Sequence, residues 1–160
     1  MILLSAAIVF SAVSAGPVRQ TTVIDRAHLS ALFPKLEIRD TVDKQGDAEW
    51  DTLSVFQGKD ELLQISPCDA GPLGKVCIVY SRAKSARTAD GVRIGDSYAK
   101  AKSKVESCGA GFNQDSDKVL CQAKSAKNVT VVFAKKGAKE GMPTPPELAS
   151  YRATELRWVP

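Results

Sequence analysis

The stretch Thr52-Leu53-Ser54-Val55-Phe56-Gln57-Gly58-Lys59-Asp60-Glu61-Leu62-Leu63-Gln64-Ile65-Ser66 sets the reading of this chain. Two apolar-rich runs of strand length flank a short polar turn that contains a glycine, which is the pattern of a β-hairpin. Working outward, Leu36-Glu37-Ile38-Arg39 alternates as a strand does, and Val76-Cys77-Ile78-Val79-Tyr80 is a mainly apolar strand. Thr21-Thr22-Val23-Ile24 is a short β-like run. Asp25 then caps a helix from Arg26 to about Phe33, Ile24 can staple onto Leu29, and Pro34 stops the helix.

The second half repeats the order. Thr88-Ala89-Asp90-Gly91 is a turn, and Val92, Ile94, Tyr98, Ala101 and Val105 line one stripe of a helix expected from Ser97 to Glu106. Strands follow at Lys118–Ala123, at Val129-Thr130-Val131-Val132-Phe133-Ala134 and at Ala153–Val159, with a loop rich in proline (Pro143, Pro145, Pro146) between the last two. The pattern predicts an α+β fold. Two helix-plus-antiparallel-meander units, about residues 16–82 and 83–160, would share a sheet or pack face to face in a single compact domain over 16–160. The whole chain of 160 residues has 44% hydrophobic and 25% charged residues, which is globular and excludes a disordered tail or a collagen-like fibre.

Residues Met1–Ala15 are apolar or small and end in Val13-Ser14-Ala15, a small-residue cleavage pattern. The segment reads as a secretory signal peptide (1–15) cut before Gly16, although no Lys or Arg precedes it. It is shorter than the roughly 20 apolar residues that span a bilayer. Export exposes cysteines to oxidants. Of the three pairings open to four cysteines, the short turn-rich loops favour Cys68–Cys77 and Cys108–Cys121 as structural staples. With a single histidine, His28, and no CxxC, no metal site is expected.

Charge divides unevenly. Residues 16–80 hold seven Lys/Arg against ten Asp/Glu, and residues 81–160 hold fifteen against eight, giving −3 and +7 within the total of +4. A cluster of Arg93, Lys100, Lys104 and Lys135 is the candidate patch for an anionic partner. No aromatic residues are interleaved with these lysines, so nucleic acid is not an expected partner. Gly91-Val92-Arg93-Ile94-Gly95-Asp96-Ser97 lacks the third glycine of a dinucleotide loop and the Lys-Ser/Thr pair of a P-loop. The acidic run Asp40, Asp43, Asp47, Glu49 and Asp51 does not have EF-hand spacing and reads as the tip of a hairpin. His28 reads as a surface residue, and Trp50 and Trp158 as core or edge-packing residues.

Several pieces from Val76 to Pro160 occur together: Gly91-Val92-Arg93-Ile94-Gly95-Asp96-Ser97-Tyr98, then Cys108, Cys121-Gln122-Ala123-Lys124, Gly141-Met142-Pro143 and Leu156-Arg157-Trp158. In order and spacing they resemble the sigma-E-regulated envelope lipoproteins of Gram-negative bacteria, a family of unknown function. The resemblance implies an envelope location, an α+β fold and no known activity. No cysteine follows the apolar N-terminal segment, so a soluble periplasmic or secreted form is expected in place of a lipid-anchored one. The expected function is that of a non-catalytic envelope protein binding a protein or other macromolecule in a stress or assembly context, without cofactor and, once cleaved, without a transmembrane segment. Its partner would be an envelope protein or an anionic envelope surface. The alternative is a small-ligand carrier or enzyme with a pocket between the two units.

Overall fold

Asp25 takes an extended conformation and its carboxylate accepts the His28 amide at 2.8 Å, so the chain enters helix α1 (Arg26–Leu32) where the sequence places it. Around α1 the computed structural model describes residues 7–68 and 74–160. The elements before and after it are strands β1 (Ile8–Phe10), β2 (Glu37–Gln45), β3 (Ala48–Gln57), β4 (Asp60–Pro67), β5 (Val76–Ser81) and β6 (Ala86–Thr88). Then come α2 (Tyr98–Ala101), a 3₁₀ turn (Lys102–Lys104), β7 (Val105–Ala110), a 3₁₀ turn (Asn113–Asp115), β8 (Val119–Ala123), β9 (Ala126–Ala134), α3 (Pro145–Leu148) and β10 (Arg152–Trp158).

Eight strands form one antiparallel sheet in the order β2-β3-β4-β5-β10-β9-β8-β7. Each half of the chain supplies four consecutive strands, and the halves join through their last strands, with Tyr80 opposite Arg157 and Val79 opposite Trp158. The two meanders therefore share one sheet. The balanced α+β fold with two helical units is corrected to a mostly β fold, because the second helix is only one turn long. Ser97 caps it, but the chain leaves the helix after Ala101 and pairs as β7 with β8, Val105 opposite Ala123. The stripe Val92–Val105 follows a helical period by coincidence: Val92 and Val105 are buried from two different elements. Thr21–Val23 lies outside the strands, and Ile24 makes only an isolated bridge to Gly74.

The register separates the sheet's faces. One row of cross-strand neighbours runs Arg39–Ser54–Gln64–Tyr80–Arg157–Thr130–Gln122–Glu106 through all eight strands and is polar or amphipathic throughout. The opposite face carries Ile38, Val55 and Leu63 from the first meander and Leu156, Val131 and Cys121 from the second, all buried. Leu29 and Phe33 of α1 and its C-cap join this core, together with Val92 and the N-terminal segment. Trp158 is buried as expected; Trp50 is not, with 47% of it exposed near the end of the β2–β3 hairpin.

The N-terminal segment is part of the fold. β1 pairs in parallel with β6, Ile8 opposite Ala86 and Phe10 opposite Thr88. Phe10, Ala15 and Val18 are fully buried, and the Gly16 amide returns to the Val9 carbonyl at 2.9 Å. Asn128 ties the same segment to β9 by donating to the Ala12 carbonyl. The expected cut after Ala15 falls inside this packed region, and residues 1–6 lie outside those described. Removal of residues 1–15 would take Ile8, Phe10 and Ala15 out of the core. Phe10→Ala is expected to lower stability by about 3–5 kcal/mol in urea unfolding, the usual loss for a buried phenylalanine. A folding free energy unchanged by Phe10→Ala, or by deletion of residues 1–15, would show the segment to be dispensable.

Candidate functional site

The polar face bears a cleft of about 200 Å³ across the β5–β10 junction, the seam between the two halves. Tyr80, Arg82, Glu155 and Arg157 line it from the seam, Asp43, Lys44 and Gln45 from the end of β2, and Gln114, Asp115 and Lys118 from the β7–β8 connection. β2 is three strands from β5, yet Asp43 and Tyr80 line the same cleft and the charge of Asp43 acts on the Tyr80 hydroxyl. The β2–β3 hairpin therefore curls over the face, in keeping with the strong coiling of antiparallel ribbons. The acidic hairpin tip read from the sequence forms one wall of the cleft.

The other wall depends on Gly111. A Cβ at that position would stand 2.3 Å from the Asp115 carbonyl oxygen, so only glycine allows the following turn to fold back so closely. Asn113 supplies the left-handed residue of that turn at φ 51°, a conformation asparagine adopts more readily than most. The Lys118 amide closes the turn on the Asp115 carbonyl at 2.8 Å. This places the Asp115 side chain 2.7 Å from Arg157 Nη1, where Lys118 Nζ also donates to it at 2.8 Å.

A continuous ion-pair chain results. Arg157 Nε donates to Glu155 Oε1 at 2.5 Å, and Glu155 Oε2 lies 2.6 Å from Arg82 Nη2. Arg82 Nη1 donates to Gln64 at 3.3 Å, and Gln64 passes the network to Thr52 at 3.2 Å. The side chains of Asp115, Glu155 and Arg157 are 7%, 9% and 19% exposed. Burial opposes the charge on Arg157, but hydrogen bonds and attraction from Asp115 and Glu155 prevail and raise its pKa. Burial also pushes the Asp115 carboxyl up, and the hydrogen bonds from Arg157 and Lys118 more than offset this, leaving its pKa below 3.8. Burial first, and then the negative charge of Asp43, push the Tyr80 hydroxyl up to about 12.

The residues expected from sequence to form a site are only partly brought together. Arg93 and Lys100 meet at Asp96, whose carboxylate accepts the Arg93 amide at 2.9 Å and pairs with Lys100 Nζ at 2.6 Å. Lys104 ends the 3₁₀ turn after α2, so it does not share a helical face with Lys100; its carbonyl accepts the Lys124 amide. Lys135 lines a separate pocket of about 350 Å³ with Lys139 and Glu147. Cys108–Cys121 is bonded and links β7 to β8. Cys68 and Cys77 are both exposed, and their expected pairing brackets residues 69–73, which lie outside those described. His28 is on the surface, 2.6 Å from Asp25. A pocket between the two halves is the alternative drawn from the sequence, but its residues are not: Asp115, Glu155 and Arg157 are brought together by a loop closure of some forty residues, and the only local signal is the charged residues of β10.

An eight-stranded meander sheet with one face packed by its own chain and the other left polar defines the class of this molecule. The chain belongs to a family described as Protein of unknown function (DUF1131), whose model matches residues 4–159. That match takes in most of the N-terminal segment that the structure packs into the core. In fold the chain is similar to the crystal structure of the uncharacterized protein yfeY from Escherichia coli, with a TM-score of 0.73 and 15% identity, covering 96% of this chain and 99% of that one. No curated protein matches it.

Asp115→Asn tests the ion-pair chain. It should cost about 3 kcal/mol at pH 7, because it removes the carboxylate partner of Lys118 and one of the two partners of Arg157. The Asp115 pKa is lower in the folded state than that of an ordinary aspartate, so its stabilisation is complete well above the ordinary value and is lost as pH falls through the folded pKa. Urea unfolding of Asp115→Asn should therefore show a smaller loss of stability from pH 7 to pH 3 than the parent protein. Equal losses in the two proteins would remove Asp115 from the acid response.

Proposed function

We propose that this protein is a non-catalytic, exported binding protein of the cell envelope that holds its ligand on the polar face of the sheet, over the β5–β10 seam. One observation carries the reading: the chain packs its core on one face and spends a costly, partly buried ion-pair chain on the other, directly beneath a cleft. Such a network holds surface side chains in fixed positions, which favours recognition. Its carboxylates are committed to arginine and lysine partners and Tyr80 is held protonated, which supports binding in preference to acid–base chemistry. The Cys108–Cys121 bond supports an oxidising compartment, periplasmic or secreted. The resemblance to sigma-E-regulated envelope proteins supports the same location and a stress or assembly context. In this reading residues 8–18 remain with the mature domain, because β1 belongs to the core.

A second reading places an anionic envelope surface on the basic half, favoured by its excess of fifteen Lys/Arg over eight Asp/Glu in residues 81–160. Hydrogen exchange of the purified protein, with and without fractionated envelope extract, separates the two. Slowed exchange confined to residues 43–50, 80–82, 112–118 and 155–157 is expected from the cleft. Protection of residues 93–104 and 135–139 instead would favour the basic patch and sink the cleft reading.

A further inference from the structure

We infer that the cleft takes an uncharged, polyhydroxylated chain, a segment of neutral glycan. This rests on the cleft reading above and names its ligand class. The argument begins with charge. Arg157, Arg82 and Lys118 are each within 2.8 Å of a carboxylate oxygen of Asp115 or Glu155. An anionic ligand would have to compete with Asp115 and Glu155 for these cations, and a cationic ligand would have to displace Arg157. Either exchange breaks a partly buried pair and strands its partner, which is strongly unfavourable. A neutral ligand avoids that exchange.

The spare hydrogen-bonding capacity points the same way. An arginine has five N–H donors and a carboxylate about four acceptor sites, so the paired groups can still donate and accept toward the cleft without separating. Sugar hydroxyls both donate and accept and fit such a mixed array. Gln45 and Gln114 add amide groups of both kinds from opposite walls. The floor at Tyr80 is held rigid, with the guanidinium carbons of Arg82 and Arg157 at 5.7 and 5.9 Å from its ring centroid.

The third observation is Trp50. It is the cross-strand partner of Asp43, so its side chain emerges on the same face and beside the residue that forms the hairpin wall. It is 47% exposed, on a strand where the neighbouring in-facing residue Thr52 is buried. Trp50 is not itself part of the cleft lining, but a flat, partly exposed indole one cross-strand step from Asp43, beside a mainly polar cleft, offers a platform for the apolar C–H face of a sugar ring, while the cleft meets the hydroxyls. The cleft volume of about 200 Å³ suits one ring, with the adjoining rings lying along the hairpin.

The test uses the full chain and four trisaccharide probes: N-acetylglucosamine trimer and glucose trimer, both neutral, galacturonic acid trimer, which is anionic, and glucosamine trimer, which is cationic. Trp158 is buried, so a change in the exposed component of tryptophan fluorescence reports Trp50. Amide chemical-shift mapping locates the site. A neutral trimer should shift signals of Trp50, Tyr80 and Arg157, should bind with little dependence on salt up to 0.5 M, and should bind about tenfold more weakly to Trp50→Ala, the loss expected for one aromatic contact. Trp50→Phe should recover part of the affinity, and both variants should unfold at the same urea concentration as the parent because the side chain is exposed. Tighter, salt-sensitive binding of a charged trimer in the cleft would overturn the neutral-glycan inference and leave the cleft reading standing. The same holds if no trimer moves a cleft signal while envelope extract still protects the cleft from exchange. If exchange protection falls elsewhere, both readings fail together.

Discussion

The pairing of β5 with β10 is the contact on which the rest of the structure depends. It joins residues 79–81 to residues 156–158 and turns two four-stranded meanders into one eight-stranded sheet. On one face it seats Trp158 and Leu156 in the shared core. On the other it sets Arg157 beside Tyr80, and from that position Arg157 draws in Asp115 from the β7–β8 connection of its own meander. Burial of the apolar side chains supplies the stabilising free energy, at about 25 cal/mol for each Å² removed from water. The ion-pair chain on the opposite face adds little to that sum and fixes geometry instead.

Elements whose information is local were legible in the sequence. Asp25 caps α1 through its own carboxylate, Gly58 turns the β3–β4 hairpin, and the β-branched run at Val129–Phe133 forms a strand. The second helix misled because Val92, Ile94, Tyr98, Ala101 and Val105 happen to recur at a helical interval, while pairing with β8 and the Cys108–Cys121 bond hold Val105 onward as a strand. A run of small and apolar residues at the N-terminus suits a signal peptide and an interior strand with a tight return equally well, and its contacts with β6 and Asn128 come from far along the chain.

The cleft was legible only in fragments. The acidic tip at residues 40–51 was read correctly as a hairpin end, but nothing local shows that it curls across three strands to reach Tyr80. Gly111 reads in sequence as an ordinary loop glycine, and its role follows from the Asp115 carbonyl, which occupies the space a side chain would need. The lysines expected to gather are divided between Asp96 and the pocket near Glu147, because the turn after Ala101 breaks the helical spacing that would have aligned them.

The chain's last strand lies in the middle of its sheet, flanked by β5 on one side and β9 on the other. Assembly order follows from this. Each meander can form from near neighbours, but the halves cannot unite until residues 152–158 arrive, and contacts that span such sequence distances form late and slowly. A molecule cut short before Arg152 would present two unpaired strand edges at once, together with the apolar faces that Trp158 and Leu156 cover. Exposed edges of that kind invite aggregation and proteolysis. Closure of the sheet thus waits on residues 152–158, which must insert between two strands already formed.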